Sequence, residues 1–161
     1  MKSLLLLILL ILSGGARAQR FELENVSDSL SFLVLRTDST VDKWRLHYPV
    51  YRFCTGDVDG NGVEDAMVGV INSTRFYKMR GRRLFIFKNK RGRVRPLWLG
   101  SRLGGILQDF RFVDGRIRSL ETTLDGFYVV AEYVWQGFGM GFERFLVKKV
   151  GREEALEVFY R

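Results

Sequence analysis

The stretch YRFCTGDVDGNGVEDAMVGV, residues 51–70, decides how the fold of this chain is interpreted. The residues on both sides of its centre have the apolar, β-branched and aromatic character of strands. Between them, residues 57–65 place side-chain oxygens at loop positions 1, 3, 5 and 9 and a glycine at position 6. A glycine there lets the backbone turn sharply. The stretch therefore predicts two strands joined by an acidic loop, and we call residues 57–65 the acidic loop.

The spacing of these oxygens indicates a calcium site. Ca²⁺ takes about six to eight oxygen ligands at about 2.3–2.6 Å. We expect Asp57, Asp59 and Asn61 to provide the first three ligands. The backbone carbonyl of Val63 would point inward, and Asp65 would close the far side. The cofactor predicted from the sequence is therefore Ca²⁺.

Two other interpretations of the acidic loop were weighed. A plain hairpin turn would explain the glycines, because Asn-Gly pairs favour positive φ. It would not explain three aspartates so close together, since they repel one another without a cation. An EF-hand would need a glutamate at position 12, and that position is Val68. We therefore exclude the EF-hand, and the plain turn remains the alternative.

Residues 51–88 resemble an FG-GAP or VCBS-type repeat, in which an aspartate-rich calcium loop joins strands of a β-propeller blade. Such repeats occur in integrin α-subunit heads and in bacterial surface proteins. The resemblance implies an adhesion or recognition function, with calcium in a structural role. Two features depart from the family pattern. Asn61 stands where an aspartate is often found, and the loop is present once.

The first eighteen residues are typical of a cleaved secretory signal. Lys2 precedes an apolar run over residues 4–12, and an Ala-x-Ala pattern ends at Ala18. The run is too short to span a bilayer, which needs about 20 residues. We expect cleavage after Ala18 and a single β-domain over residues 19–161. The predicted location is secreted or periplasmic, with no transmembrane segment after cleavage.

Strand signals dominate the rest of the chain, and Asp114-Gly115 is a strong two-residue hairpin signal. Residues 38–44 and 152–158 could hold a helical turn. The sequence predicts an all-β fold with short helices at most. The predicted strands are 31–35, 48–54, 66–71, 84–87, 93–99, 110–112, 117–120, 127–135, 142–150 and 155–160.

The arrangement of these strands is expected to be antiparallel meanders. A closed propeller needs four to eight four-stranded blades, at about 40–50 residues each. The mature chain is too short for that as a monomer. Three arrangements stay open: a partial propeller of two or three blade-like sheets, a compact sandwich, or a protomer that closes by forming an oligomer.

Charge is segregated along the chain. The net charge is +8, and residues 66–108 contain no aspartate or glutamate. A positive surface of this kind steers polyanions. The predicted partners are an acidic glycan, lipopolysaccharide, extracellular DNA or an acidic protein, whereas no motif supports sequence-specific nucleic-acid binding. The alternative is a solvated edge that prevents strand pairing. The residues predicted to bind the polyanion are Lys88, Lys90, Arg91, Arg93 and Arg95.

Catalysis has little support from the sequence. His47 is the single histidine and Cys54 the single cysteine, which excludes a zinc ligand set and leaves no assembled triad. We therefore predict a recognition domain that is not an enzyme. The alternative is a small glycan-directed hydrolase, which needs only two carboxylates. Its candidate residues lie in the second half of the chain and are Glu121, Asp125, Glu132 and Glu143.

Overall fold

The computed structural model describes residues 19–75, 77–100 and 102–161. The predicted signal segment, residues 1–18, lies outside this part of the chain. The described part forms eleven strands followed by one helix. In chain order these are β1 Arg20–Ser27, β2 Leu30–Arg36, β3 Val41–Leu46, β4 Val50–Gly56, β5 Asp65–Asn72, β6 Gly81–Lys90, β7 Arg93–Leu99, β8 Ile106–Val113, β9 Arg116–Thr122, β10 Tyr128–Trp135, β11 Met140–Val150 and α1 Arg152–Tyr160.

The strands form three consecutive antiparallel meanders. The first sheet contains β1–β3, the second β4–β7 and the third β8–β11. In each sheet the spatial order of the strands follows their order in the chain, so every neighbour is joined by a short connection. This confirms the predicted all-β fold with antiparallel meanders.

The second sheet is the middle layer, and apolar side chains cover both of its faces. Val68 and Phe85 pack in one cluster with Leu33 of the first sheet. Met67 and Ile86, which are their neighbours in the strands, pack in another cluster with residues of the third sheet. Successive strand residues point to opposite faces. A strand between two layers is therefore apolar without alternation, which explains the continuous run 84–87.

The helix α1 covers the outer face of the third sheet. Ala155 and Phe159 are buried there against Leu120 and Val130. The prediction of a helical turn over 152–158 is confirmed, and the prediction of a strand over 155–160 is wrong. Residues four apart lie on the same side of a helix and also on the same side of a strand. The spacing of Ala155 and Phe159 could therefore not distinguish the two.

Two further differences concern the first sheet. The helical turn expected over residues 38–44 is wrong, because β3 begins at Val41 and pairs along its length with β2. The strand β1 was not predicted at all. The alternation of buried and exposed residues in β1 is weak, since its last three residues are all exposed. No helix in the described ranges has the length and apolar character needed to cross a membrane.

Several connections meet at one end of the second sheet. The acidic loop joins β4 to β5 there, and the turn at Arg91 and Gly92 joins β6 to β7. Gln19 links the two, because its side chain donates to the carbonyl of Glu64 and accepts from Asn89 Nδ2, both at 2.7 Å. The acidic loop is therefore held against a neighbouring hairpin.

Candidate metal centre and basic face

The acidic loop is organised by its own side chains. The carboxylate of Asp57 accepts hydrogen bonds from the backbone N–H groups of Asn61 at 3.0 Å and Gly62 at 2.8 Å. Asn61 Oδ1 accepts from the N–H of Val63 at 2.8 Å. Gly60 and Gly62 have φ of 72° and 81°. Both angles lie in the left-handed region that glycine tolerates best, so the glycines allow the loop to close around Asp57.

Three carboxylates converge inside this loop. Asp57, Asp59 and Asp65 each offer an oxygen, and these oxygens lie within 4.8 Å of one another. Asp65 opens β5 and is only 1% exposed. Its Oδ2 accepts from the N–H of Val58 at 3.0 Å. The other oxygen, Oδ1, and Oδ1 of Asp59 are both buried without a hydrogen-bond partner among the described residues.

One cation touches the cluster. Lys88 Nζ lies 3.2 Å from Asp59 Oδ2. Burial raises the pKa of Asp65 to about 6, and the charges of Asp59 and Asp57 add to this effect although the N–H of Val58 opposes it. Two like charges about 5 Å apart repel by roughly 3 kcal/mol at an effective dielectric constant of about 20. Lys88 therefore offsets only part of the charge of three aspartates.

The environment of a second buried carboxylate, that of Glu132, can be compared with the environment of Asp65. Glu132 is 1% exposed, like Asp65. Its Oε1 accepts from Arg118 at 2.9 Å, and its Oε2 accepts from Arg144 at 2.8 Å. Burial alone would raise the pKa of Glu132, but these hydrogen bonds outweigh it and the pKa is lowered. No arginine of the described residues bonds to Asp65 in this way, so its environment is incomplete by comparison.

The remaining predicted ligands are placed as follows. Asn61 lies in the loop, and its side-chain oxygen is engaged by the Val63 N–H. Glu64 is not among the predicted ligands, and its carboxylate accepts from Thr55 Oγ1 at 2.9 Å. The role of Lys88 beside Asp59 was missed. The register of β5 and β6 pairs Ala66 with Phe87. The next residues along the two strands, Asp65 and Lys88, are therefore neighbours, and this brings Lys88 close to the acidic loop.

The donor set of the cluster consists of oxygens only. Carboxylate and carbonyl oxygens suit Ca²⁺, Mg²⁺ and Mn²⁺, whereas zinc and copper sites use imidazole or thiolate ligands. Several ligands from one short loop favour Ca²⁺, because Mg²⁺ keeps more of its water and demands stricter geometry. Asp57, Asp59 and Asp65 are thus the residues that could hold a calcium ion.

The five predicted polyanion-binding residues also come together. Lys88 is paired with Arg95, and Lys90 with Arg93, across β6 and β7. Alternate residues of a strand share a face, so these four lie on one side of the hairpin. Arg91 is in the turn with φ of 56°, followed by Gly92 with φ of 78°. All five line one open depression of about 520 Å³ together with Pro96. We call these five residues the basic face.

The carboxylates considered for a hydrolase all have polar partners, and Glu132 and Glu143 share one of them, Arg116. Glu121 accepts from Ser119 Oγ and from the Tyr133 hydroxyl, at 2.5 and 2.8 Å. Glu143 pairs with Arg116. Asp125 is fully exposed, and a hydrogen bond from the Thr123 side chain lowers its pKa. Glu132 is held by the two arginines described above.

The stretch 133–142 combines three glycines with several aromatic side chains. Trp135 and Met140 pack against the core between the second and third sheets. Tyr133 is buried, whereas Phe138 at the tip of the β10–β11 connection is 90% exposed. The stretch is therefore part core and part exposed tip.

No family model matches the chain, and neither a curated protein nor a solved structure gives a significant match. The resemblance of residues 51–88 to an FG-GAP repeat stays a prediction. The function is accordingly inferred from the acidic loop and the basic face.

Proposed function

We propose that this protein is an exported calcium-binding recognition domain, in which Asp57, Asp59 and Asp65 hold a structural Ca²⁺ and the basic face binds a polyanion. One observation carries the calcium part. Two carboxylate oxygens of the cluster, Oδ1 of Asp59 and Oδ1 of Asp65, are buried without a hydrogen-bond partner in the described structure.

A buried polar group left unpaired costs about 1–3 kcal/mol, and more when the group is charged. Asp65 carries this cost next to two further carboxylates, whose oxygens lie within 4.8 Å. A divalent cation bonded to those oxygens would remove both the unpaired state and the repulsion. The plain acidic turn offers no such compensation.

The role proposed for the ion is to fix the acidic loop. Asp57 already shapes the loop through the N–H groups of Asn61 and Gly62. Asp65 belongs to β5, which lies in the middle layer. When bound, Ca²⁺ supplies the positive charge that lets both carboxylates face the same point. The loop would then be attached to a buried strand through these two residues.

The basic face supports the recognition part of the proposal. Its side chains come from paired positions on two strands, so the strands determine their spacing. The depression that they line is open and contains no acidic residue among its lining. Such a surface suits an extended polyanion, whose charges can contact several cations at once. The ligand classes proposed are an acidic glycan, lipopolysaccharide or an acidic protein.

The calcium part is tested by thermal unfolding in EDTA and in about 5 mM Ca²⁺. Extracellular modules bind Ca²⁺ at about 10⁻⁴–10⁻³ M, so the ion should stabilise the fold by about 1–2 kcal/mol. Asp59→Asn should abolish the increase in Tm. Asp28→Asn is the matched control, because Asp28 is exposed in the β1–β2 turn. Identical melting curves of the unmodified protein in EDTA and in calcium would refute the structural ion.

The recognition part is tested by binding to heparin and to lipopolysaccharide at several salt concentrations. The affinity should fall steeply with salt, because exposed charges are screened within about 8–10 Å at 0.1–0.15 M. Replacing Arg91, Arg93 and Arg95 together by Glu should abolish binding. The control is the same change at three exposed arginines elsewhere, which should retain most of the binding. These arginines are Arg45, Arg152 and Arg161. Absence of binding by the unmodified protein at low salt would refute this part.

A further inference from the structure

The guanidinium of Arg83 is buried near the end of the second sheet that is opposite to the acidic loop. Arg83 belongs to β6 and is 7% exposed. Its Nη1 donates to the carbonyl of Arg82 at 2.8 Å, and its Nη2 donates to the carbonyl of Met79. Its Nε is buried and has no hydrogen-bond partner among the described residues. The Nε–H of this buried cation is thus unused.

The surroundings of Arg83 add positive charge. Its guanidinium carbon lies 4.4 Å from the centre of the Tyr77 ring, and that of Arg102 lies 5.3 Å from the same centre. Burial lowers the pKa of Arg83, and the charge of Arg102 lowers it further. No carboxylate is among the groups that shift this pKa. Two arginines therefore share one aromatic ring without an acidic partner for Arg83.

These side chains border a small cavity. Its volume is about 20 Å³, and its lining includes Tyr77, Arg82, Arg83, Trp98, Arg102 and Gly105. A volume of roughly 10–15 Å³ is enough for one water molecule. The cavity therefore has room for about one water-sized atom, so one oxygen of a larger group could enter it while the rest of that group stays at its open mouth. It is bordered by three arginine side chains and a tyrosine, so a group that enters it meets positive charge.

Arg83 is buried without a counter-charge among the described residues. Burying a charge is costly unless the charge is paired and hydrogen-bonded, and a cation–π contact offsets only part of that cost. Arg118 shows the contrast, because it is also largely buried but is paired with Glu132 at 2.9 Å. Arg83 lacks the carboxylate that Arg118 has.

We propose that the pocket formed by Tyr77, Arg83 and Arg102 binds a compact tetrahedral oxyanion, a phosphate or sulfate group, through the free Nε of Arg83 and the guanidinium of Arg102. Guanidinium N–H groups form short, charge-assisted bonds with such oxyanions. The group could be a free inorganic ion or the terminal group of a larger molecule. We call these three residues the arginine pocket.

This site is separate from the proposed calcium ion and from the basic face. The basic face lies beside the acidic loop, where Lys88 contacts Asp59. The arginine pocket lies where the β5–β6 and β7–β8 connections leave the other end of the sheet. A test in EDTA therefore examines the pocket without the calcium site.

The test is binding of inorganic phosphate and of sulfate to the unmodified protein in EDTA, by calorimetry and by Tm, with sodium chloride at equal ionic strength as reference. Both oxyanions should raise Tm above the chloride reference. Arg102→Met should weaken the binding about 10-fold, because a hydrogen bond to a charged group contributes about 1.5–3 kcal/mol and 1.4 kcal/mol is a factor of ten. Arg80→Met is the matched control, since Arg80 is exposed in the β5–β6 connection that also carries Tyr77, and this variant should bind as the unmodified protein does.

Arg83→Lys tests the buried group itself. It keeps the charge but lacks the guanidinium N–H groups, so phosphate binding should be lost. If this variant does not fold, the comparison of Arg102→Met with Arg80→Met decides alone. Glucose 6-phosphate and vesicles containing phosphatidic acid distinguish a terminal phosphate of a soluble molecule, or a lipid headgroup, from the free ion. A protein whose Tm in phosphate and sulfate equals that in chloride, or an Arg102→Met variant with unchanged affinity, would overturn the proposal.

Discussion

The two ends of the second sheet carry buried charges of opposite sign. At one end Asp65 is 1% exposed, and towards the other end Arg83 is 7% exposed. Each has a buried polar atom without a hydrogen-bond partner in the described structure. Val70 is paired with Arg83, so the two charges are about five residues apart along β5, or roughly 17 Å at 3.4 Å per residue. At that distance they cannot compensate each other.

The comparison shows how the layered fold leaves two buried charges incompletely paired. Both faces of the second sheet are covered by apolar side chains in its centre. Asp65 and Arg83 lie towards the two ends of these strands, beside the connecting loops. A pairing residue of opposite charge is supplied for Glu132 in the third sheet. No such residue pairs with Arg83 in the described structure, and Lys88 compensates only part of the negative charge of the carboxylates around Asp65.

The largest effect is expected from Glu132, the paired buried carboxylate. Glu132→Gln would leave Arg118 buried without its counter-charge, since that side chain is only 12% exposed. Breaking a buried pair from one side costs about 3–5 kcal/mol. We expect the lower end of this range, because Arg144 is 57% exposed and can be solvated. Urea denaturation measures the loss, and an effect below about 1 kcal/mol would show that the pair is no stronger than a surface ion pair.

The corresponding change at Asp65 should act in the opposite direction when calcium is absent. Asp65→Asn removes one of three mutually repelling charges, and the amide oxygen can still accept from the Val58 N–H. In EDTA at pH 7.5 we expect the free energy of unfolding to increase by about 1–2 kcal/mol. A nearby like charge or an unpaired polar atom destabilises a fold by about this amount. In calcium the variant should show no further increase. A loss of stability in EDTA would mean that the ionised carboxylate is already compensated.

The pH dependence distinguishes the same two carboxylates. The pKa of Asp65 is raised from 3.8 to about 6 by burial, so the folded state holds a proton that the unfolded state has released. The stability of the calcium-free protein should therefore fall as pH rises through about 6. The pKa of Glu132 is lowered. The stability that ionised Glu132 contributes is therefore lost only when pH falls below the ordinary range of a glutamate pKa. Tm of the calcium-free protein measured at pH 5.5 and 7.5 should decrease with pH, and Asp65→Asn should flatten the difference. A flat profile of the unmodified protein would contradict the raised pKa.

The sequence predicted the local features of this fold better than the contacts between distant segments. The strands on both sides of the acidic loop are confirmed, and so is the Asp114-Gly115 hairpin, where φ is 49° and 75°. These features depend on residues close together in the chain. Alternation and glycine positions are enough to predict them.

The arginine pocket could not be predicted in this way. Tyr77, Arg83 and Arg102 come from three separate segments, and only the packing of two connections brings them together. In the sequence, Arg83 is one of several arginines with no sign of burial. The pairing of Lys88 with Asp59 likewise depends on the register between β5 and β6, which the sequence alone does not determine.

The smallest effect concerns Lys88, which joins the acidic loop to the basic face. Its ammonium group lies 3.2 Å from Asp59 Oδ2 and is 33% exposed, so it competes with a cation for that carboxylate. Lys88→Gln should raise the affinity for Ca²⁺ about two- to five-fold, since a partly exposed ion pair contributes up to about 1 kcal/mol. Lys90→Gln is the control, because Lys90 lies on the same face and is exposed. Calcium titration by calorimetry measures both. An equal gain in the two variants would indicate a general effect of net charge, whereas a gain confined to Lys88→Gln would show that this lysine occupies the carboxylate when calcium is absent.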